Sequence, residues 1–278
     1  TLIIGEPGTY RNQWINKRGT GVEKIEITVR TDATGNPRDC IYIDNSYHIE
    51  NLVLNDGLYS VAMNKVNANW EKVFITKDLD PLKGRNPSWY PMWNVNVWEI
   101  WTDGSIKNDV RLEPKLTLSE CKATNGSFYW DGTRIYINPT DGTIDGKKYR
   151  ALTKEYDNTF SFVELKEVKI KNVKTDFSWE SGIATYNCNE VHIESCTARY
   201  NGYECLFRSL KSNSYYKNCI ALQAVADGFD GNGCGYNEYI NCEAGYCYDD
   251  GISHHDGNEG VIIGGIFHHC QKSGVAPA

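Results

Sequence analysis

The sequence repeats with a period of 23 residues. Three sets of positions at this spacing hold mainly apolar residues. The first set is Val173, Cys196, Cys219, Cys242 and Gly265, the second is Ile170, Ile193, Tyr216, Tyr239 and Ile262, and the third is Ile183, Leu206, Phe229, Ile252 and Val275. Three such sets over five turns indicate one supersecondary unit stacked on itself, because a single unit cannot bury its own apolar face.

The repeat predicts an all-β fold. Its apolar runs are short, 25 glycines and many asparagines separate them, and no stretch has the period of a helix. These features are typical of a right-handed parallel β-helix, a solenoid with 23-residue coils in which Ile183, Leu206, Phe229 and Ile252 stack inward. Residues one period apart would then lie about 4.8 Å from each other across a parallel ladder.

Three segments are predicted along one continuous solenoid. Residues 1–76 form N-terminal coils, in which Val29 and Leu52 keep the 23-residue spacing. Residues 77–160 lose the period, and their alternating strands and Asp-Gly turns predict an inserted antiparallel β-element. Residues 161–278 return to regular coils. Neither end has the polar cap that a solenoid needs, which predicts a chain truncated at both ends.

Charge and composition exclude several classes of partner. The net charge is −7 and no basic stripe is visible, so we expect no nucleic-acid partner. No apolar run is long enough to span a membrane, so we expect no membrane partner. The 18 tyrosines and 8 tryptophans suit a surface that binds sugars; alternatively, they reflect the β-propensity of long sheets.

The ten cysteines are predicted to be free thiols. Three of them lie in one column, and no CxxC or Cys/His zinc spacing occurs. Stacked cysteines in a solenoid act as small buried hydrophobic residues. Reduced thiols also argue against long residence in a strongly oxidising compartment.

An acidic column precedes the third apolar set. Its members are Ser181, Glu204, Asp227, Asp250 and Ser273. Two charges about 4 Å apart repel by roughly 4 kcal/mol at an effective dielectric near 20. Either Ca²⁺ is held by Glu204, Asp227 and Asp250, or one carboxyl group is protonated and can act as a general acid. A third reading places all three carboxylates in water, where screening removes the penalty. The cofactor prediction is accordingly none or Ca²⁺.

Further polar residues lie in the columns beside this one. The 23-residue spacing predicts Arg208 below Gly231 and His254, Asn232 below His255, and Asp230 beside Ser253. The candidate catalytic residues are therefore Asp227, Asp249, Asp250, His254, His255, Asp230 and Arg208. The candidate substrate-binding residues are Trp93, Trp98, Asn232 and Tyr248.

The regular coils resemble the pectin-lyase-like superfamily of parallel β-helices, most of whose members cleave or epimerise polysaccharides. Ala226-Asp227-Gly228 followed one coil later by Asp249-Asp250-Gly251 is similar to the motifs of polygalacturonase-like hydrolases. This resemblance implies that Asp227, Asp249 and Asp250 form the catalytic acidic set. Residues 251–255, Gly-Ile-Ser-His-His, resemble the Gly-Phe-Asp-Pro-His motif of mannuronan C5-epimerases and match it at His255.

These observations predict an enzyme that cleaves the glycosidic bonds of an acidic polysaccharide by acid–base catalysis. A first alternative is a polysaccharide lyase or C5-epimerase, in which Arg208 or Ca²⁺ neutralises a uronate and His254 or His255 removes the C5 proton. A second alternative is a non-catalytic glycan-binding module, such as a phage tail-spike segment, which would form a homotrimer. The expected location is extracellular or on the surface of a virion.

Overall fold

The computed structural model describes residues 1–11, 13–34, 36–62, 95–153, 158–202 and 205–277. The chain divides into two compact units, one formed by Thr1–Asn45 with Tyr156–Ala278 and the other by Ser46–Glu155. Within the described ranges, no helix is both long enough and apolar enough to cross a membrane.

Three parallel sheets, each of seven described strands, form the first unit. The first sheet contains β1 (Leu2–Gly5), β4 (Lys24–Val29), β15 (Glu167–Lys171), β18 (Glu190–Glu194), β21 (Ser214–Lys217), β24 (Tyr236–Ile240) and β27 (Glu259–Ile263). The second contains β2 (Gly8–Arg11), β5 (Ile41–Asp44), β16 (Val173–Asp176), β19 (Thr197–Arg199), β22 (Ile220–Leu222), β25 (Glu243–Gly245) and β28 (Ile266–His268). The third contains β3 (Ile15–Arg18), β14 (Phe160–Val163), β17 (Ile183–Tyr186), β20 (Phe207–Leu210), β23 (Phe229–Asn232), β26 (Ile252–His255) and β29 (Val275–Ala276).

The chain visits the three sheets in turn, so each coil adds one strand to each sheet. Neighbouring strands pair in parallel, and most pairs are 23 residues apart, as between Ile170 and Ile193 or Tyr216 and Tyr239. The predicted all-β parallel solenoid with coils of about 23 residues is thereby confirmed. Two of the predicted apolar columns, those of Ile170 and Cys196, keep their register through every coil they cover in the described part.

The turn between the first and second sheets explains the frequent asparagines. One residue per coil adopts a left-handed conformation there, namely Asn172, Ser195, Asn218 and Asn241, with φ between 50° and 55°. Asparagine tolerates this conformation better than most residues. The next residue turns inward, so that Cys196, Cys219 and Cys242 stack in consecutive coils. All ten cysteines are free thiols in the structure.

The third apolar column differs from its prediction at one coil. Ile183 pairs with Phe207, Phe207 with Phe229 and Phe229 with Ile252, so Phe207 rather than Leu206 occupies the column. The cause lies in the strand spacing: β19 ends at Arg199 and β20 begins at Phe207, so this connection is one residue longer than the equivalent one from β22 to β23. A strict 23-residue count cannot detect this, because the next coil is one residue shorter and restores the register.

The second unit is a mixed, mainly antiparallel sheet of eight described strands. In spatial order these are β6 (Tyr47–Ile49), β13 (Lys147–Thr153), β9 (Val95–Trp101), β10 (Val110–Pro114), β11 (Ser127–Trp130), β12 (Arg134–Asn138), β8 (Leu58–Ala62) and β7 (Val53–Asn55). A 3₁₀-helix covers Ile106–Asn108, and a short helix, α1, covers Leu118–Ala123. The Thr117 hydroxyl and the Glu120 carboxylate form a capping box at the start of α1.

This sheet interrupts the solenoid earlier than residue 77. The second unit begins at Ser46, and β6, β7 and β8 all belong to its sheet. Leu52, which fits the 23-residue spacing, therefore lies in the second unit and not in a coil. The coil that begins with β4 and β5 resumes at Phe160, where β14 joins the third sheet.

Gly228 stands where consecutive coils approach closely. A Cβ atom at this position would lie 2.7 Å from both the Gly251 carbonyl oxygen and the Ala244 Cβ. We expect Gly228→Ala to lower the free energy of unfolding by about 1–3 kcal/mol, because neither neighbour is a flexible side chain. Chemical denaturation would measure this. The exposed substitution Glu259→Ala should change the free energy by less than about 0.5 kcal/mol, and equal effects of the two substitutions would contradict the packing argument.

Candidate active site

Acidic residues lie in the turns that lead from the second sheet to the third. The turn after β22 carries Asp227, and the turn after β25 carries Asp249 and Asp250. The Asp227 and Asp250 carboxylates each cap the next coil. The Asp250 N–H donates to Asp227 Oδ1 at 3.0 Å, and the Ser273 N–H donates to Asp250 Oδ1 at 2.8 Å. These carboxylates therefore have a structural role, because they satisfy backbone donors in the turns.

An asparagine makes the same cap in an earlier coil. The Ser181 N–H donates to Asn158 Oδ1 at 3.1 Å, and Asn158 lies 23 residues before Ser181 in the same column. The cap thus needs an acceptor but no negative charge. Capping alone does not explain why the later coils carry Asp227 and Asp250.

Four carboxyl groups lie in or beside this column, and we call Asp227, Asp230, Asp249 and Asp250 the acidic cluster. One oxygen from each of Asp227, Asp249 and Asp250 lies within 4.8 Å of the others. The four residues are only 6–9% exposed. Repulsion between carboxylates in a poorly solvated position favours the neutral form of the least solvated group.

Asp227 is a member of the acidic cluster whose surroundings favour its protonated form. Burial is the largest cause that raises its pKa to about 8, and the charges of Asp230, Asp249 and Asp250 raise it further, against a lowering by the Asp250 N–H. At neutral pH this carboxyl group is mostly protonated. It can therefore donate a proton, which is the property expected of a general acid.

Lys272 provides the neighbouring carboxylate with a counter-charge. Its Nζ lies 2.7 Å from Asp249 Oδ1 and 2.9 Å from Asp249 Oδ2. An ammonium group at this distance stabilises the ionised form of a carboxylate. The acidic cluster therefore combines a protonated carboxyl group at Asp227 with an ion-paired carboxylate at Asp249.

Asp230 extends the acidic cluster along the outer side of β23. The Cys205 thiol donates to Asp230 Oδ2 at 3.7 Å, and Arg208 Nε lies 3.8 Å from the same oxygen. On the other side, His255 Nε2 lies 4.0 Å from Asp230 Oδ1. The Ser253 hydroxyl also contacts His255 Nε2, at 2.8 Å. A row of polar side chains thus crosses β20, β23 and β26 beside the turns.

The register places Arg208 one position from where the 23-residue spacing predicts it. Arg208 pairs with Asp230, not with Gly231, because of the longer turn before β20. The other predicted neighbours, Gly231 with His254 and Asn232 with His255, pair as expected. This shift brings the Arg208 guanidinium group beside the Asp230 carboxylate of the acidic cluster.

His254 is separated from the acidic cluster. It lies on the same side of β26 as the buried Ile252, and its Nε2 contacts the Tyr239 hydroxyl at 3.2 Å. Burial, and then the neighbouring His255, lowers the pKa of His254. Alternation along the strand turns His255 to the outer side and His254 toward the interior. Of the two candidate histidines, the structure brings only His255 to the acidic cluster.

The aromatic candidates are distributed differently from the prediction. Trp98 is completely buried in the middle of the second unit's sheet, with β10 and β13 on either side of β9. Its ring therefore cannot contact a ligand at the surface, contrary to its assignment as a sugar-binding residue. Trp93 lies outside the described residues. Tyr248, directly before Asp249, and Asn232 are both partly exposed.

Part of the predicted metal set lies outside the described residues as well, because it includes Glu204. The backbone hydrogen bond from Leu206 N–H to the Asp227 carbonyl places Cys205 level with Asp227. Among the residues that the structure describes, two groups have ligand atoms within 4.8 Å of one another: Asp227, Asp249 and Asp250, and Asp227, Asp230 and His255. The first group offers the carboxylate oxygens that Ca²⁺ prefers. The Lys272 ammonium group, however, forms an ion pair with one of these carboxylates, that of Asp249. Calcium binding stays a prediction.

The sequence interpretation did not identify two polar residues of this region, Lys272 and Tyr186. Lys272 follows its partner Asp249 by 23 residues, so the repeat itself contained that signal. Tyr186 lies on β17 with its ring centroid 5.9 Å from the Arg208 guanidinium, and burial raises the pKa of Tyr186 to about 12.

Comparison with known proteins finds no family model, no curated protein and no solved structure that matches this chain.

Proposed function

We propose that the protein is a polysaccharide-degrading enzyme that hydrolyses glycosidic bonds by acid–base catalysis. The observation that carries the proposal is the pairing of unlike carboxyl groups within 4.8 Å, a protonated Asp227 and an ion-paired Asp249. Glycoside hydrolysis requires these two states of the same functional group. The pectin-lyase-like resemblance of the coils, and the polygalacturonase-like spacing of the aspartates, support the same assignment.

Asp227 would protonate the glycosidic oxygen as the bond to the leaving sugar breaks. Asp249 or Asp250 would act at the anomeric carbon. Retaining enzymes have carboxyl groups about 5 Å apart, whereas inverting enzymes separate them by about 6.5–9.5 Å to admit a water molecule. Because the oxygens of these three residues lie within 4.8 Å, the spacing favours retention of the anomeric configuration.

The proposed substrate class follows from the basic side chains beside the acidic cluster. Arg208, Lys272 and His255 all approach it, at 3.8 Å, 2.7 Å and 4.0 Å from an aspartate oxygen. Such groups can bind a uronate carboxylate while the aspartates act on the glycosidic bond. We therefore propose an acidic glycan as substrate, met outside the cell or on a virion surface.

The direct experiment measures the release of reducing ends from a panel of uronate-containing and neutral polysaccharides. We expect release from an acidic member of the panel, with the product anomer, followed by NMR, matching the substrate. Release only from neutral glycans would contradict the proposed substrate class. Binding without release would instead support the glycan-binding alternative, and a trimer in sedimentation would then favour a tail-spike segment.

A second candidate, lyase or epimerase chemistry, is favoured by one observation. His255 is half exposed and lies near both Ser253 and Asp230, at 2.8 Å and 4.0 Å from its Nε2. A histidine oriented by a carboxylate can remove the C5 proton of a uronate, with Arg208 beside the substrate carboxylate. An unsaturated product that absorbs in the ultraviolet would identify a lyase, and a changed C5 configuration without cleavage would identify an epimerase.

Lys272→Met tests the ion pair within the acidic cluster. Methionine has an unbranched side chain of similar length, but it lacks the ammonium group that pairs with Asp249. We expect kcat/KM to fall about tenfold or more, because outer groups that orient a functional carboxylate have effects of this size. Stability should change by less than about 1 kcal/mol, since Lys272 is half exposed. Lys217→Met is the matched control, and equal activity of both variants would remove Lys272 from the site.

A further inference from the structure

Two cysteines stack in consecutive coils beside the acidic cluster. Gly245 on β25 pairs in parallel with His268 on β28, and the same register continues into the turns. The Gln271 N–H donates to the Cys247 carbonyl at 3.0 Å, which is the parallel-ladder bond expected when Cys247 lies opposite Cys270. Residues paired in this way have Cα atoms about 4.8 Å apart, within the range of about 4.4–6.8 Å that a disulfide requires.

The two thiols contact each other and differ in their environment. Cys247 is buried, whereas Cys270 is partly exposed. A hydrogen bond from the Cys247 thiol lowers the pKa of Cys270 to about 7, against the effect of partial burial. Cys270 can therefore be a thiolate at neutral pH, and the thiolate is the form that attacks a disulfide.

The other stacked thiols of the solenoid lack this access. Cys219 and Cys242 lie in consecutive coils with similar geometry, and the Cys219 carbonyl accepts the Glu243 N–H at 2.9 Å. Both residues are at most 1% exposed. A dissolved oxidant cannot reach either sulfur without local unfolding, so this pair is a natural control for the first one.

We propose that Cys247 and Cys270 form a disulfide bond when a small disulfide such as oxidised glutathione is present. The Cys270 thiolate attacks one sulfur of glutathione disulfide, which forms a mixed disulfide and releases one glutathione thiolate. The Cys247 thiol gives its proton to the released glutathione thiolate and attacks the Cys270 sulfur, and the second glutathione leaves as a thiolate that takes a proton from water. The two cysteines lose two electrons, and one glutathione disulfide becomes two thiols.

The bond would join the two turns that carry the Asp249–Lys272 ion pair. Asp249 follows Cys247 by two residues, and Lys272 follows Cys270 by two residues. A covalent link between consecutive coils would hold these turns together and oppose unravelling of the coil that contains β27, β28 and β29. This inference does not depend on the proposed hydrolase activity.

The test equilibrates the full chain with glutathione buffers of increasing oxidised fraction, alkylates the remaining thiols and analyses the peptides by mass spectrometry. We expect a cross-linked peptide joining Cys247 and Cys270, with Cys219 and Cys242 still alkylatable after denaturation. The oxidised protein should melt about 5 °C higher than the reduced protein. Cys270→Ser should abolish both effects, and Cys234→Ser, at an exposed thiol, should abolish neither.

Two results would overturn the proposal. One is the recovery of Cys270 as a stable glutathione adduct while Cys247 remains reduced. The other is the persistence of both thiols at oxidant levels that modify the exposed Cys234. Because these results come from the unsubstituted protein, they decide the question even if Cys270→Ser does not fold.

Discussion

Asp227→Asn is expected to lower kcat/KM for polysaccharide hydrolysis by about a thousandfold, because it removes the proposed proton donor. The fold should survive, since the asparagine Oδ1 can accept the Asp250 N–H as Asp227 does at 3.0 Å. Asn158 already makes this cap in an earlier coil. Reducing-end assays and circular dichroism of the purified variant would measure the two effects separately.

The same substitution should stabilise the protein as the pH rises. In the folded chain the pKa of Asp227 is raised to about 8, from its ordinary value of 3.8. Between these values the unfolded chain releases this proton and the folded chain keeps it, so the wild-type protein loses stability as the pH rises from about 4 to about 8. Asparagine has no carboxyl proton at this position, so the Asp227→Asn variant does not show this loss of stability with rising pH. The variant should match the wild type near pH 4 and exceed it by a few kcal/mol near pH 8.

The comparison variant for the stability effect is Asp250→Asn, which keeps the cap on the Ser273 N–H. It should show a smaller rise in stability with pH than Asp227→Asn, because it removes one of the charges that raise the pKa of Asp227 but leaves the burial of that group unchanged. Wild-type activity should also decline as the pH rises through about 8, when the proton donor ionises. Full activity of Asp227→Asn would rule out Asp227 as the acid. A pH-independent stability difference would contradict its protonation in the fold.

Phe229→Ala is expected to lower the free energy of unfolding by about 3–5 kcal/mol. The Phe229 side chain is fully buried. Its ring stacks on Phe207 with centroids 4.8 Å apart, and it meets Tyr216 and Tyr239 edge-on at 5.3 Å and 5.5 Å. Truncation leaves a cavity that the paired strands on either side cannot close. Denaturant unfolding would measure the loss.

The control is Val261→Ala on the first sheet, where the valine is 43% exposed. This substitution should cost less than about 0.5 kcal/mol. A similar small cost for Phe229→Ala would contradict its central place in the core.

The architecture of the solenoid could be predicted from the sequence because stacking repeats one environment in every coil. Ile170 and Ile193 must both be apolar, since each covers the other across the ladder. The cysteine column and the left-handed asparagine turn follow from the same constraint. The acidic column was visible for this reason too, and its capping bonds explain why a polar acceptor recurs there.

Periodicity could not reveal where the repeat slips by one residue. The longer turn before β20 shifts Phe207 into the core and Arg208 beside Asp230, and only the strand register shows this. Nor could spacing locate the start of the second unit, because Leu52 matches the period by coincidence while its neighbours pair in another sheet.

The sequence by itself determined the fold class, the coil length and the aspartates of the acidic cluster, because these depend on residue type at a fixed spacing. Tertiary structure alone decided which groups face one another. It turned His254 inward and His255 outward, brought Lys272 to Asp249 and buried Trp98. The physical reason is that burial, charge pairing and the side of a strand depend on neighbours from other coils, whose alignment a repeat count does not contain.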